Sequence, residues 1–411
     1  MSRSLSVAVA SVLASVLASA LGVIACSGSS EPKGFDDGSN SNDATTTRAP
    51  TGSNGGFGGD GGGSSSGAGC VSDPSFYDVP GNNCDDDGDG TVDNPPTCDG
   101  SLSANGSAED FAKALGICTK ASDKGYGLVS ATFTRGHGIT DAPKPDQHGV
   151  LPKFGDVLVP REGKTLGVLS TGYAQEYDGA PGVAFGGEND LGMNGKDWKT
   201  RGTLPSGFPK AAKGCEQDST VHDPIDVVLE LKAPPNAAGL KFDFNFLSGE
   251  WPAYICSKYN DGFIAYLEAQ GFNGGQADNM SFDKDGNPVS VNNGFFDRCT
   301  PNVDTGCAPG AKSGTSVCSG GAAELAGTGF GVIDQWCQVY SEFGLGGGSD
   351  RSTSGGGTGW LTSAAPVKAG ETFKLEFIIW DTGDGNLDSS VLLDNFTWAA
   401  GQVQAGTERP K

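Results

Sequence analysis

Apolar and polar residues alternate along several short stretches in the second half of the chain. Leu240, Phe242, Phe244 and Phe246 alternate with Lys241, Asp243 and Asn245. Phe373, Leu375, Phe377 and Ile379 alternate with Lys374, Glu376 and Ile378. Successive side chains of an extended backbone point to opposite faces, so a period of two with one apolar face predicts a half-buried strand. Val227, Leu229 and Leu231 predict another, and Leu166 to Leu169 and Val391 to Phe396 are further candidates. One helix is predicted before them. Ser107 with Asp110 three residues on has the form of a capping box, and Phe111, Leu115 and Cys118 fall on one face. From about Tyr126 the strands are separated by long Gly-, Asn- and Ser-rich segments. Many strands and little helix predict a mostly β fold, a jelly-roll-like two-sheet β-sandwich with a short helix before it.

The first 69 residues have a different pattern. Arg3 is the one charged side chain before an apolar stretch from Leu5 to Ile24, and the exit reads Val23-Ile24-Ala25-Cys26. A basic start, an apolar run and a small-residue exit make a secretory layout. The exit resembles a bacterial lipobox, with cleavage before Cys26 and a lipid on its thiol. An uncleaved membrane helix and a signal peptide cut elsewhere are the alternatives. Ser6, Ser11, Ser15 and Ser19 dilute the stretch as a span. Gly, Ser, Asn, Asp and Thr dominate residues 27–69, a composition that buries no core and predicts a disordered tether. The GxSxG at Gly63–Gly67 and the GxGxxG at Gly56, Gly58 and Gly61 are products of this composition, since neither joins a strand to a helix. The predicted organisation is a signal peptide (1–25), a tether (26–69), a Cys-bounded Asp-rich module (70–99), a short helical segment (100–124) and a sandwich (125–402).

Composition narrows the chemistry. A net charge of −23 over 411 residues disfavours nucleic acid and suits divalent cations. Setting Cys26 aside leaves Cys70, Cys84, Cys98, Cys118, Cys215, Cys256, Cys299, Cys307, Cys318 and Cys337. An even number in an exported chain predicts disulfides, with sequential neighbours as the expected pairs. No CxxC occurs, which argues against zinc and thioredoxin chemistry.

Two acidic segments are candidate metal sites. Asp85, Asp87 and Asp89, followed by Gly90, match the first half of an EF-hand loop, where alternate oxygens converge on a hard cation. The Thr91 carbonyl and Asp93 fall at later ligand positions, while Pro96 stands where an EF-hand has its bidentate Glu. Calcium is the expected cofactor, with an acidic solvated turn as the alternative. The segment from Trp380 to Ser390 carries Asp381, Asp384 and Asp388, and a second segment carries Glu250, Asn260 and Asp261. Loops of distant strands gather at the ends of a sandwich, so these two clusters form a second candidate cation site. Asp394 lies in a strand and is left to a hydrogen-bonding role. Ordinary Asp-Gly turns are the competing reading.

Enzyme signals are sparse. His137, His148 and His222 lack metal-ligand spacing, and Gly163-Lys164-Thr165 has Leu158 where a P-loop needs Gly. Carboxylate pairs for glycoside hydrolysis are available in number, but none is singled out, so no catalytic residue is assigned.

The run Phe242 to Pro252, then Tyr259-Asn260-Asp261-Gly262-Phe263, Val289 to Asn293, and Asp381 to Phe396 resembles the choice-of-anchor L domain, over roughly residues 126 to 400. That family occurs in exported bacterial proteins, often of myxobacteria, with varied surface attachments. The resemblance implies an extracellular β-rich domain, here on a lipid anchor at an outer membrane or cell surface, and no particular reaction. The family commonly has an aromatic directly after Asn-Asp, where this chain has Gly262. The expected role is binding or adhesion to glycan or surface protein. A polysaccharide-acting hydrolase and a structural envelope lipoprotein are the alternatives. A binding module would expose an aromatic patch, for which Trp251, Trp336 and Trp360 are candidates, although core packing is the commoner fate of such residues.

Overall fold

The structure, a computed structural model, describes residues 70–175, 197–330, 337 and 355–410. The signal peptide, Cys26, the tether with its Gly motifs, and Trp336 lie outside the described residues. The predicted helix forms as α1 (Ala108–Ala114). The Ser107 hydroxyl accepts from the Asp110 N–H and the Asp110 carboxylate accepts from the Ser107 N–H, each at 3.2 Å. Phe111 and Leu115 are fully buried, whereas Cys118 lies past the helix end, bonded to Cys98. A single turn, α2 (Ala121–Lys124), leads into the strands.

The strands are β1 (Gly127–Thr134), β2 (His148–Leu151), β3 (Leu166–Ser170), β4 (Val221–Lys232), β5 (Gly239–Ser248) and β6 (Gly262–Glu268). Five two-residue strands come next: β7 (Asp278–Asn279), β8 (Val289–Ser290), β9 (Asp304–Thr305), β10 (Gly314–Thr315) and β11 (Gly356–Gly357). The last four are β12 (Leu361–Pro366), β13 (Thr372–Thr382), β14 (Ser389–Ala399) and β15 (Gly406–Glu408). One sheet runs β1-β4-β13-β6-β7, with β8 also on β6. The other runs β15-β12-β5-β14-β3-β2, with β11 also on β5. Neighbours in both are antiparallel, and β15 carries the sandwich beyond residue 402. No helix among the described residues is long and apolar enough to cross a membrane.

The alternating residues face each other between the sheets. Val227, Leu229, Phe263, Leu375, Phe377 and Ile379 from the first meet Leu240, Phe242, Phe244, Phe246, Val391 and Leu393 from the second. The Phe377 ring stands edge-on to Phe242, with centroids 4.8 Å apart. Each such burial stabilises the fold by about 1.5–3 kcal/mol. The outer faces are covered as well. Ile378 and Trp380 pack under Leu204 and Phe208, which explains an apolar residue at the outward position 378. Helix α1 seats on β3 because Gly167 has no side chain: a Cβ there would stand 2.6 Å from the Phe111 ring.

All ten of these cysteines are paired. Cys70–Cys84, Cys98–Cys118 and Cys215–Cys256 join sequential neighbours, but the last four interleave as Cys299–Cys318 and Cys307–Cys337. The β9–β10 hairpin causes this correction. It lays Asp304 opposite Thr315, which brings the flanking Cys299 and Cys318 together and leaves Cys307 at the turn.

The chain passes from one sheet to the other at β1–β2, β3–β4, β4–β5, β5–β6, β12–β13 and β13–β14. Residues 171–175, 197–220, 249–261 and 383–388 are therefore collected at one end. There the Gly249 N–H donates to the Asp388 carbonyl, Thr171 N–H to the Ser389 carbonyl and Gly383 N–H to the Thr220 carbonyl.

Candidate functional site

At this loop-bearing end the inward stripe of each strand changes from apolar to acidic without changing parity. Phe244 and Phe246 are continued by Ser248 and Glu250, Phe377 and Ile379 by Asp381, and Val391 is preceded by Ser389. Asp261 precedes Phe263 by two. Alternation along a strand thus turns these acids into the sandwich interior. Glu250, Asp261, Asp381 and Asp388 are at most 3% exposed. Two belong to segments of each sheet, so the cluster sits where the sheets meet.

The partners of these carboxylates are few. Asp261 accepts from the Thr382 N–H at 3.0 Å and the Ser389 hydroxyl at 2.8 Å. Among the described residues Glu250 Oε2 accepts no hydrogen bond, and Asp381 lies beside the Thr171 hydroxyl and the Asp261 carboxyl. Burial pushes Asp261 up to about 7 against these hydrogen bonds. Burial, followed by the charges of Asp261 and Asp388, raises Asp381 well above the usual carboxylate range. Burial, followed by Asp261 and Asp384, does the same for Glu250. Asp388 fits because Gly172 faces it: a Cβ there would overlap its carboxylate. A buried charge without compensation is costly enough that such groups take up a proton, a counter-charge or a metal.

The six residues of the second acidic site thus divide. Glu250, Asp261, Asp381 and Asp388 meet inside. Asn260 spends its side chain on Gln217 and Asn292, at 2.9 Å each, and Asp384 closes a half-buried turn with Asn386. The sequence reading missed Asp223, which is fully buried beside them and accepts from the Trp198 N–H, the Thr200 N–H and the Thr200 hydroxyl. It sits at a bulge in β4, with φ +44°, which no sequence period announces.

In the first acidic segment, oxygens of Asp85, Asp87 and Asp89 lie within 4.8 Å of one another, the one such set among the described residues. Asp85 accepts from the Asp89 and Gly90 N–H groups, and Lys124 pairs with Asp87 at 3.0 Å. The Thr91 N–H donates to Asp89. The Asp93 carboxylate points elsewhere, accepting from the Asn82 and Asn83 N–H groups.

Gly163-Lys164-Thr165 does cradle an anion, but it is the chain's own Asp99, held by the Lys164 N–H, the Thr165 N–H and the Thr165 hydroxyl. Asp394 accepts from the Arg161, Glu162 and Asn395 N–H groups, and burial still pushes it up to about 7. On the outer face of the first sheet His137 Nδ1 lies 2.7 Å from Glu376, which touches the buried Asp226. Positions 137, 226 and 376 are too far apart in the chain for any spacing rule to join them.

Trp251 is buried against Phe296, and Trp360 is half-buried against the second sheet's outer cluster. Half-buried aromatics lie elsewhere. A cleft of about 650 Å³ beside β15 is lined by half-buried Phe282 and Phe295, with Lys284, Asp285, Gln404 and Glu408 among its polar residues.

The choice-of-anchor L domain family model matches residues 167–397, more than half of the 411-residue chain. The chain belongs to the choice-of-anchor L family. The match covers the sandwich from β3 to β14 and all four buried acids, and membership places the chain among surface-associated proteins. Gly262 makes room for the Trp380 ring, which a Cβ would approach to 2.6 Å. Phe263 then faces inward opposite Ile379. Comparison with curated proteins returns no match, and comparison with solved structures returns none.

Proposed function

We propose that this choice-of-anchor L protein is a cell-surface binding or adhesion module. A lipid on Cys26 holds it to a membrane, and a glycan occupies the cleft beside β15. The observation that carries this reading is the cleft itself. Its volume suits a small ligand, its two phenylalanine rings offer a face for a sugar ring, and its polar residues can accept or donate to hydroxyls. Calcium at Asp85, Asp87 and Asp89 stiffens the segment between the tether and the sandwich. Without a twelfth-position Glu its affinity belongs in the range of extracellular modules, about 10⁻⁴–10⁻³ M. One carboxylate pair open to a hydrolase is Asp226 and Glu376. Their direct contact leaves none of the roughly 5 Å or more that glycoside hydrolysis needs between two carboxyls.

The test is a glycan array probed with the full chain, with and without calcium, alongside Phe282→Ala and Phe295→Ala. Binding that both variants lose supports the cleft. Binding that neither variant changes refutes it, and release of reducing sugar would favour the hydrolase. Labelling with a fatty-acid probe tests the anchor: the wild type should be marked and Cys26→Ser should not.

A further inference from the structure

We propose that Glu250, Asp261, Asp381 and Asp388 bind one divalent cation of the calcium type, which crosslinks the two sheets at the loop-bearing end. This site is separate from the Asp85 turn and does not depend on the binding function. Four acids arrive there from four strand ends: Glu250 after β5, Asp261 before β6, Asp381 within β13 and Asp388 before β14. Inward parity buries Glu250, Asp261 and Asp381, and Asp388, one residue before β14, is buried against Gly172. Among the described residues, the largest charges acting on Glu250, Asp261 and Asp381 are acidic.

These buried carboxylates set the chemistry. Glu250 is 3% exposed and its Oε2 has no partner among the described residues, while Asp381, 1% exposed, lies beside the Asp261 carboxyl with the Thr171 hydroxyl as a donor. A neutral carboxyl would need an acceptor for its proton, and one shared proton between Asp261 and Asp381 would leave Glu250 unanswered. A divalent ion answers several carboxylates at once, and an all-oxygen donor set selects a hard cation. The oxygens stand wider apart here than in the Asp85 turn, so the ion draws the carboxylates inward. That closure pulls the segments 249–261 and 383–388 together and links the sheets. Asp384, half-buried and close enough to act electrostatically on Glu250 and Asp261, adds negative potential over the entrance.

The experiment uses the full chain with Asp85→Asn, Asp87→Asn and Asp89→Asn, which removes the surface turn. Equilibrium dialysis against calcium at pH 7.5 should retain one ion per chain, and chelator should lower the melting midpoint. Adding Asp381→Asn should weaken retention at least tenfold. It should also invert the stability order: in chelator this variant should melt above its parent, because a repelling charge is gone, and in calcium below it. Asp388→Asn provides the same dialysis reading should Asp381→Asn fail to fold. No retained ion and a calcium-independent midpoint in the turn-deleted chain would overturn the proposal and assign the cluster to shared protons.

Discussion

Asp394 offers a pH test that rests on a residue outside both acidic sites. It lies on β14 under residues 161 and 162, fully buried, where burial outweighs three N–H donors and lifts its carboxyl from 3.8 to about 7. Between those values the folded state holds a proton that the unfolded state has released. Stability from this group is therefore fully present below the unfolded value and is lost as pH rises towards 7. About three pKa units at 1.36 kcal/mol each give roughly 4 kcal/mol. Asp394→Asn cannot titrate, so its stability deficit relative to the parent should shrink by about 4 kcal/mol between pH 4 and pH 7.5. Taking the difference cancels any fixed cost of turning an amide towards the Arg161 and Glu162 N–H groups. Urea unfolding of both chains in chelator at four pH values measures it. A deficit constant within about 1 kcal/mol across that range would refute the burial argument.

Phe377→Ala removes a fully buried ring between the sheets and should cost about 3–5 kcal/mol in urea unfolding, whereas Val317→Ala, 82% exposed, should change little. Gly262→Ala should destabilise by about 1–3 kcal/mol through the clash with Trp380, and Trp380→Leu in the same chain should recover part of it. Peptide mapping of the unreduced protein should find Cys299–Cys318 and Cys307–Cys337. A Cys299–Cys307 peptide would contradict the hairpin that sets this pairing.

The strands were legible because period two is a local property. Leu240 to Phe246 and Phe373 to Ile379 announce their inward faces without knowing their partners. The capping box at Ser107 was local in the same way. The interleaved disulfides were not legible, because Cys299 meets Cys318 through a hairpin of two-residue strands with no apolar alternation. The acidic end was half legible. The meeting of the 250–261 and 381–388 segments follows from sandwich topology. Which acids turn inward follows from continuing the parity of Phe246 and Ile379 past the last apolar residue. Asn260 and Asp384 dropped out because their neighbours Gln217, Asn292 and Asn386 take up their side chains. His137, Asp226 and Glu376 meet across adjacent strands and a loop, where no sequence spacing could announce them.

A cation joining the two sheets at their acidic end is tested most directly by an anomalous difference map. The crystal would hold the full chain, grown in calcium and exchanged into manganese. A peak is expected between β13 and the β5–β6 segment, within about 2.6 Å of carboxylate oxygens from Glu250, Asp261, Asp381 and Asp388. A map with no peak there would contradict it.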